Sequence, residues 1–208
     1  MKTLNVPSVK KASQAGFTII ELIVVILLLG ILTATALPRF LDVTDEAHQA
    51  VVDAVEGGLL TGTALFRAGY VAGGEVNDAA QANFGDGTLF SDEAGTGYPT
   101  DAVDGVIDAD AVDCLAIYNG LLQTGRPLAA GVAAPDTDAG TETAIEGAAT
   151  GVEFVVTPDD ATTPTGCHFY YVGQFKSGDA TTNATIQRLD YTLATGAITE
   201  TTHLFDQN

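Results

Sequence analysis

From Phe17 to Leu37 the sequence FTIIELIVVILLLGILTATAL runs for 21 residues with one charge, Glu21, and no Lys or Arg. At about 1.5 Å of rise per residue such a helix is about 30 Å long, the thickness of one bilayer core. A chain that carries it must keep it in lipid, lose it to a protease, or bury it against other protein. Lys2, Lys10 and Lys11 precede the run and only Arg39 follows closely. The positive-inside bias therefore holds the N-terminus in the cytoplasm and sends the C-terminal bulk outward.

Glu21 separates the possible fates. An ordinary secretory signal has a shorter apolar region, roughly 7 to 15 residues, and a small-residue cleavage site, which Ala34-Thr35-Ala36 does supply. The run is longer than that, bears an acid near its start, and leads into a helical pattern that continues beyond Ala36. A permanent anchor leaves the acid unexplained. A carboxylate in a spanning helix costs on the order of 2.5 to 3.5 kcal/mol even on a lenient insertion scale, and it marks a function with a partner. Immediately upstream stands Lys10-Lys11-Ala12-Ser13-Gln14-Ala15-Gly16. A cut after Gly16 creates an ammonium at Phe17, one helical turn from Glu21 on the same face. That ammonium can neutralise its own Glu21 or the Glu21 of an adjoining chain, and between chains the pair sets axial register.

Gly16-Phe17-Thr18-Ile19-Ile20-Glu21, followed by an unbroken apolar helix, resembles the N-terminal signature of type IV pilins and of type II secretion pseudopilins. The resemblance implies cleavage between Gly16 and Phe17 by a membrane prepilin peptidase, which then N-methylates Phe17 using S-adenosylmethionine. It makes Glu21 the acid that pairs with a neighbour's N-terminus, and it places Pro38 where the family often has a helix-disturbing proline. Within the family the head is similar to the mannose-sensitive haemagglutinin type of type IVa major pilin. That likeness rests on Pro38-Arg39-Phe40-Leu41, on the Asp113-Cys114 helix ending in Leu121-Leu122, and on Cys167 opening an aromatic strand. The implied partners are copies of the chain in a helical filament, the peptidase, the pilus assembly machinery, the inner membrane before assembly, and host or abiotic surfaces afterwards. A pseudopilin or a minor pilin is the alternative.

The implied fold is α+β, a long N-terminal helix packed on a C-terminal antiparallel sheet. The implied division is a leader at 1–16, an apolar spanning and assembly half at 17–37, and a head at 38–208. The residues themselves agree with it. Pro38 lacks an amide hydrogen and clashes with the carbonyl of Ala34, which kinks or locally opens the helix. Beyond it Val43, Ala47, Ala50, Val51, Ala54, Val55 and Leu59 recur at helical spacing, and the helix is extended to about Ala68 despite Gly57, Gly58 and Gly62. Gly69 to Pro99 reads as a long outward connection. A short helix begins near Asp110, with Leu115, Tyr118 and Leu122 on one face and Gly125 after its end. Positions 129–150 are almost all small or polar and read as a mobile surface loop. About four strands follow, at Val152–Thr157, Cys167–Phe175, Thr185–Leu193 and Ala197–Phe205, the last two joined by a turn at Ala194-Thr195-Gly196.

Charge and cysteine usage narrow the function. Downstream of Gly16 there are 5 Lys plus Arg against 27 Asp plus Glu, a net of -22. Such a surface repels phosphate backbones, so nucleic-acid binding is not expected. The two cysteines, Cys114 and Cys167, lie beyond the apolar run, where an oxidising compartment favours one disulfide. Asp101, Asp104, Asp108, Asp110 and Asp113 are weak candidates for a hard cation, but no EF-hand spacing is present and solvated acids and helix capping account for them. His48, His168 and His203 are scattered and read as structural or surface residues. No catalytic set or nucleotide loop can be assembled, so neither an enzyme nor a cofactor is expected.

Overall fold

The computed structural model describes residues 17–74, 89–91, 95–100, 111–134, 138–148, 150–174 and 185–204. The chain divides into two compact units, Met1–Glu46 and Ala47–Asn208. Helix α1 spans Ile19–Ala72, so of the kink or local opening expected at Pro38 the opening is absent and the helical backbone is unbroken. It also runs one turn past Ala68, closing on Gly73 and Gly74, whose amides donate to the carbonyls of Gly69 and Val71.

In the second unit the buried stripe of α1 is Val52, Val55, Leu59, Gly62, Thr63, Phe66 and Tyr70. The spacing is helical as expected, but the face is shifted: Ala50 and Ala54 are exposed, and Val51 is only half-buried. The shift has a steric cause. Helix α2, Ala111–Leu122, lies so close that a Cβ on Gly62 would stand 2.7 Å from the Leu121 carbonyl oxygen and one on Gly58 2.6 Å from Leu122 Cδ2. Two of the glycines that weaken the helical propensity of α1, Gly58 and Gly62, are the ones that admit its neighbour. Helix α2 turns Cys114, Ile117, Tyr118 and Leu121 inward, with Leu115 and Leu122 at the margin.

Among the described residues five strands form one sheet in sequence order: β1 Ala129–Gly131, β2 Phe154–Pro158, β3 Gly166–Tyr171, β4 Thr185–Thr192 and β5 Ala197–Leu204. Strands β2 to β5 pair antiparallel, and β1 pairs parallel to β2 in the register Ala129 with Phe154. The β4–β5 turn carries Gly196 at φ 62°, the left-handed conformation that glycine adopts at no steric cost. Phe154, Val156, Cys167, Phe169, Tyr171, Leu189, Tyr191 and Ile198 face the core shared with α1 and α2. The opposite face carries a second cluster, Val155, Tyr170, Val172 and Ile186 with Ile145.

Ile145 belongs to helix α3, Asp138–Ala148, and this corrects the expectation of a mobile loop over 129–150. Small residues let β1 join the sheet, Ala and Glu favour a helix, and one fully buried Ile anchors it on the sheet. Because helices cover both faces, β2 is buried at all five positions instead of alternating. Part of the long connection is pinned as well: Leu89 is buried, Ser91 bridges Pro99, and Tyr191 donates its hydroxyl hydrogen to the Pro99 carbonyl at 2.7 Å.

Candidate functional site

The first turn of α1 is built by its own side chains. The Thr18 amide and hydroxyl both donate to Glu21 Oε2, at 2.8 and 2.9 Å, and the Glu21 amide donates back to Thr18 Oγ1 at 3.2 Å. This is a capping box, in which a Thr at the cap and a Glu three residues on satisfy each other's backbone donors. It explains why the helix begins at Ile19 and not at Phe17. The Thr-x-x-Glu spacing of Thr18 and Glu21 is the sequence signal for this box and stands beside the Phe17–Glu21 spacing. Glu21 is therefore hydrogen-bonded within its own chain while standing at the head of an apolar helix.

From that cap, Ile19–Leu37 forms a helix of 19 residues with mean hydropathy 2.7, none of it buried. Phe17 is 90% exposed, and every large aliphatic side chain from Ile19 to Leu32 is exposed. An apolar surface of this extent marks a membrane or protein contact. Thr33 and Thr35 return their hydroxyls to the carbonyls of Leu29 and of Leu32, at 2.7 and 3.0 Å, so neither presents a free donor to an apolar neighbour. A Cβ on Gly30 would meet nothing within 4 Å. Gly16, the expected cleavage residue, lies outside the described residues, as do the side chain of Pro38 and the acidic candidates Asp101, Asp104, Asp108 and Asp110.

In the second unit the expected disulfide is present: Cys114 and Cys167 are bonded with their Cα atoms 5.6 Å apart, tying α2 to β3. Asp113, the remaining acidic candidate, is buried in the first turn of α2. Among the described residues no group of three His, Cys, Asp or Glu could hold a metal. The histidines serve tyrosines instead. His48 Nδ1 lies 2.7 Å from the Tyr171 hydroxyl, and His168 and His203 each set a ring edge-on to Tyr170. Beside them Arg188 grips Asp190 with two nitrogens, at 2.6 and 3.0 Å, and Thr201 donates to the same carboxylate at 2.8 Å. Burial, and next to it the Arg188 charge, hold the His168 imidazole below its ordinary range. Only the register of β3, β4 and β5 brings these groups together.

The model of the prokaryotic N-terminal methylation motif matches residues 11–37. A stretch of 50 residues is 52% identical to the type IV narrow pilus major component PilA5 of Thermus thermophilus; it covers 24% of this chain and 43% of that protein. The chain thus spans less than half the length of the relative it matches. No solved structure matches it. Both matches support a type IV pilin, and the exposed capped helix is the structural counterpart of the matched motif.

Proposed function

We propose that this chain, taken as a type IV pilin, is a structural subunit that polymerises through Phe17–Leu37 into a pilus filament used for surface attachment or motility. The observation that carries the reading is the helix itself, long enough to span a bilayer, exposed along its whole length, and headed by a capped acid. In lipid those side chains are solvated by acyl chains. In a filament they are buried against other subunits, and the apolar area removed from water favours assembly by about 25 cal/mol per Å² once the helix leaves the membrane.

In this reading residues 1–16 are a leader, 17–37 the spanning and assembly segment, and 38–208 the head. The peptidase hydrolyses the Gly16–Phe17 bond and the new amine of Phe17 is methylated, both as work of that enzyme on this substrate. The resulting ammonium pairs with Glu21 of a neighbouring copy and fixes axial register, while Pro38 gives the helix a point at which to bend. The precursor resides in the inner membrane and the product on the cell surface, where the disulfide meets an oxidising environment. That 50 residues of the chain are 52% identical to a pilus component of Thermus supports the same reading.

Mass spectrometry of the mature N-terminus, run on sheared surface material and on membranes, tests it. A methylated Phe17 terminus in sheared filaments is the expected result. The same terminus found only in the cell envelope points to a pseudopilin, and an intact Met1 or a Leu37 start overturns the proposal.

A further inference from the structure

Between α1, the segment 95–100 and the β4–β5 turn lies a cavity of about 370 Å³, lined by Leu60, Thr63, Ala64, Arg67, Tyr98, Thr195 and Gly196. Among the described residues Arg67 is its one charged wall. The guanidinium carbon sits 5.2 Å from the centre of the Tyr70 ring and 5.3 Å from that of Tyr98, and Nη1 donates to the Thr96 carbonyl. Two glycines make the arrangement possible. Gly97, at φ 72°, lies where any side chain would strike Arg67 and Tyr70, and a side chain on Gly196 would strike the Tyr98 ring.

The other described arginines of this unit are spent. Arg188 holds Asp190 in two contacts, and Arg126 donates to Asn119 Oδ1 and to the Gln123 carbonyl. Arg67 has no carboxylate within ion-pair distance among the described residues, in a chain with 27 acids. A half-buried guanidinium held by two rings and a carbonyl has already lost its rotamer freedom, so a planar anion can dock on its remaining N–H groups without further ordering.

We infer that this cavity binds a carboxylated sugar, a uronate-type pyranose whose carboxylate takes the Arg67 fork. Leu60 and Ala64 offer apolar surface to the C–H face of a ring, and Thr195 offers a hydroxyl at the rim. A peptide carboxylate fits less well, because the turn amides of Thr195 and Gly196 both already donate to the Thr192 carbonyl. The incoming backbone would find no free turn amide there. The inference concerns the second unit alone and stands whether or not the chain polymerises. One site in so acidic a protein binds weakly, on the order of millimolar, and repetition along a filament would raise the avidity.

The test is a titration of the full chain in detergent with glucuronate, galacturonate, glucose and a short Glu-containing peptide, followed by ligand-observed NMR saturation transfer. The expected result is uronate binding at least tenfold tighter than glucose or peptide, lost at least tenfold in Arg67→Gln and unchanged in Arg126→Gln. Leu60→Trp fills the cavity from its exposed rim while keeping Arg67 and both tyrosines in the chain, and should abolish binding even if Arg67→Gln fails to fold. Equal binding of uronate and glucose, tighter binding of the peptide, or uronate binding that survives Leu60→Trp overturns the inference.

Discussion

Replacing both cysteines by alanine tests what holds α2 to the sheet. The Cys114–Cys167 bond closes a separation of 53 residues. For a loop of that size the chain-entropy relation gives about 14 cal/mol/K, or about 4 kcal/mol at 25 °C. Both residues are fully buried, so the missing sulfurs add about 1 kcal/mol of lost packing. In a domain of 150 to 250 residues each kcal/mol shifts Tm by about 2 to 4 °C, so the double variant should melt about 10 to 20 °C lower. The assay is the near-UV circular dichroism of the full chain in detergent, which reads the core tyrosines Tyr118, Tyr171 and Tyr191 while the apolar helix stays folded. A fall of less than about 3 °C would refute the loop-closure reasoning, because packing of α2 on β3 would then hold without the crosslink.

Two glycine substitutions in α1 should have opposite signs. Gly57→Ala meets nothing within 4 Å and should stabilise by about 0.5 to 1 kcal/mol, whereas Gly62→Ala would press on the Leu121 carbonyl and should destabilise by about 1 to 2 kcal/mol in urea unfolding. A pH effect follows from His168, whose folded-state affinity for a proton is depressed by burial first and by Arg188 second, with His203 adding and Asp190 and Asp159 opposing. The unfolded chain takes that proton near pH 6.5 and the folded chain only at lower pH. Stability from this group is therefore complete above about 6.5 and is lost as pH falls from there through the folded value. His168→Gln should flatten the slope of unfolding free energy against pH between 7 and 5; an unchanged slope would place the titration elsewhere.

The apolar first half of α1 was legible because its signal is local: hydropathy and one acid lie within a few turns of one another. The strands were legible wherever residues of high β-propensity ran together, and four of them lie close to their expected bounds. What the sequence hid depends on distant partners. Helix α3 has a composition that reads as linker, and only the second cluster on the sheet shows what Ile145 is for. The core face of α1 could not be placed from periodicity, since the stripe is set by where α2 makes its close approach at Gly58 and Gly62. The grouping of His168, Tyr170, Arg188, Asp190 and His203 comes from strand register, and Arg67 gains its setting from segments about thirty and one hundred and thirty residues away.

The strand order has a kinetic consequence. Every pair in the sheet joins strands adjacent along the chain, and β4 and β5 are separated by only four residues. Loop closure for such pairs is inexpensive in entropy, so the sheet can zip from its C-terminal hairpin before the distant α1 contacts form. With just two cysteines, oxidation within one chain has a single product, and no misbridged species needs rescue. A sheet that pairs only sequence neighbours assembles without a long search.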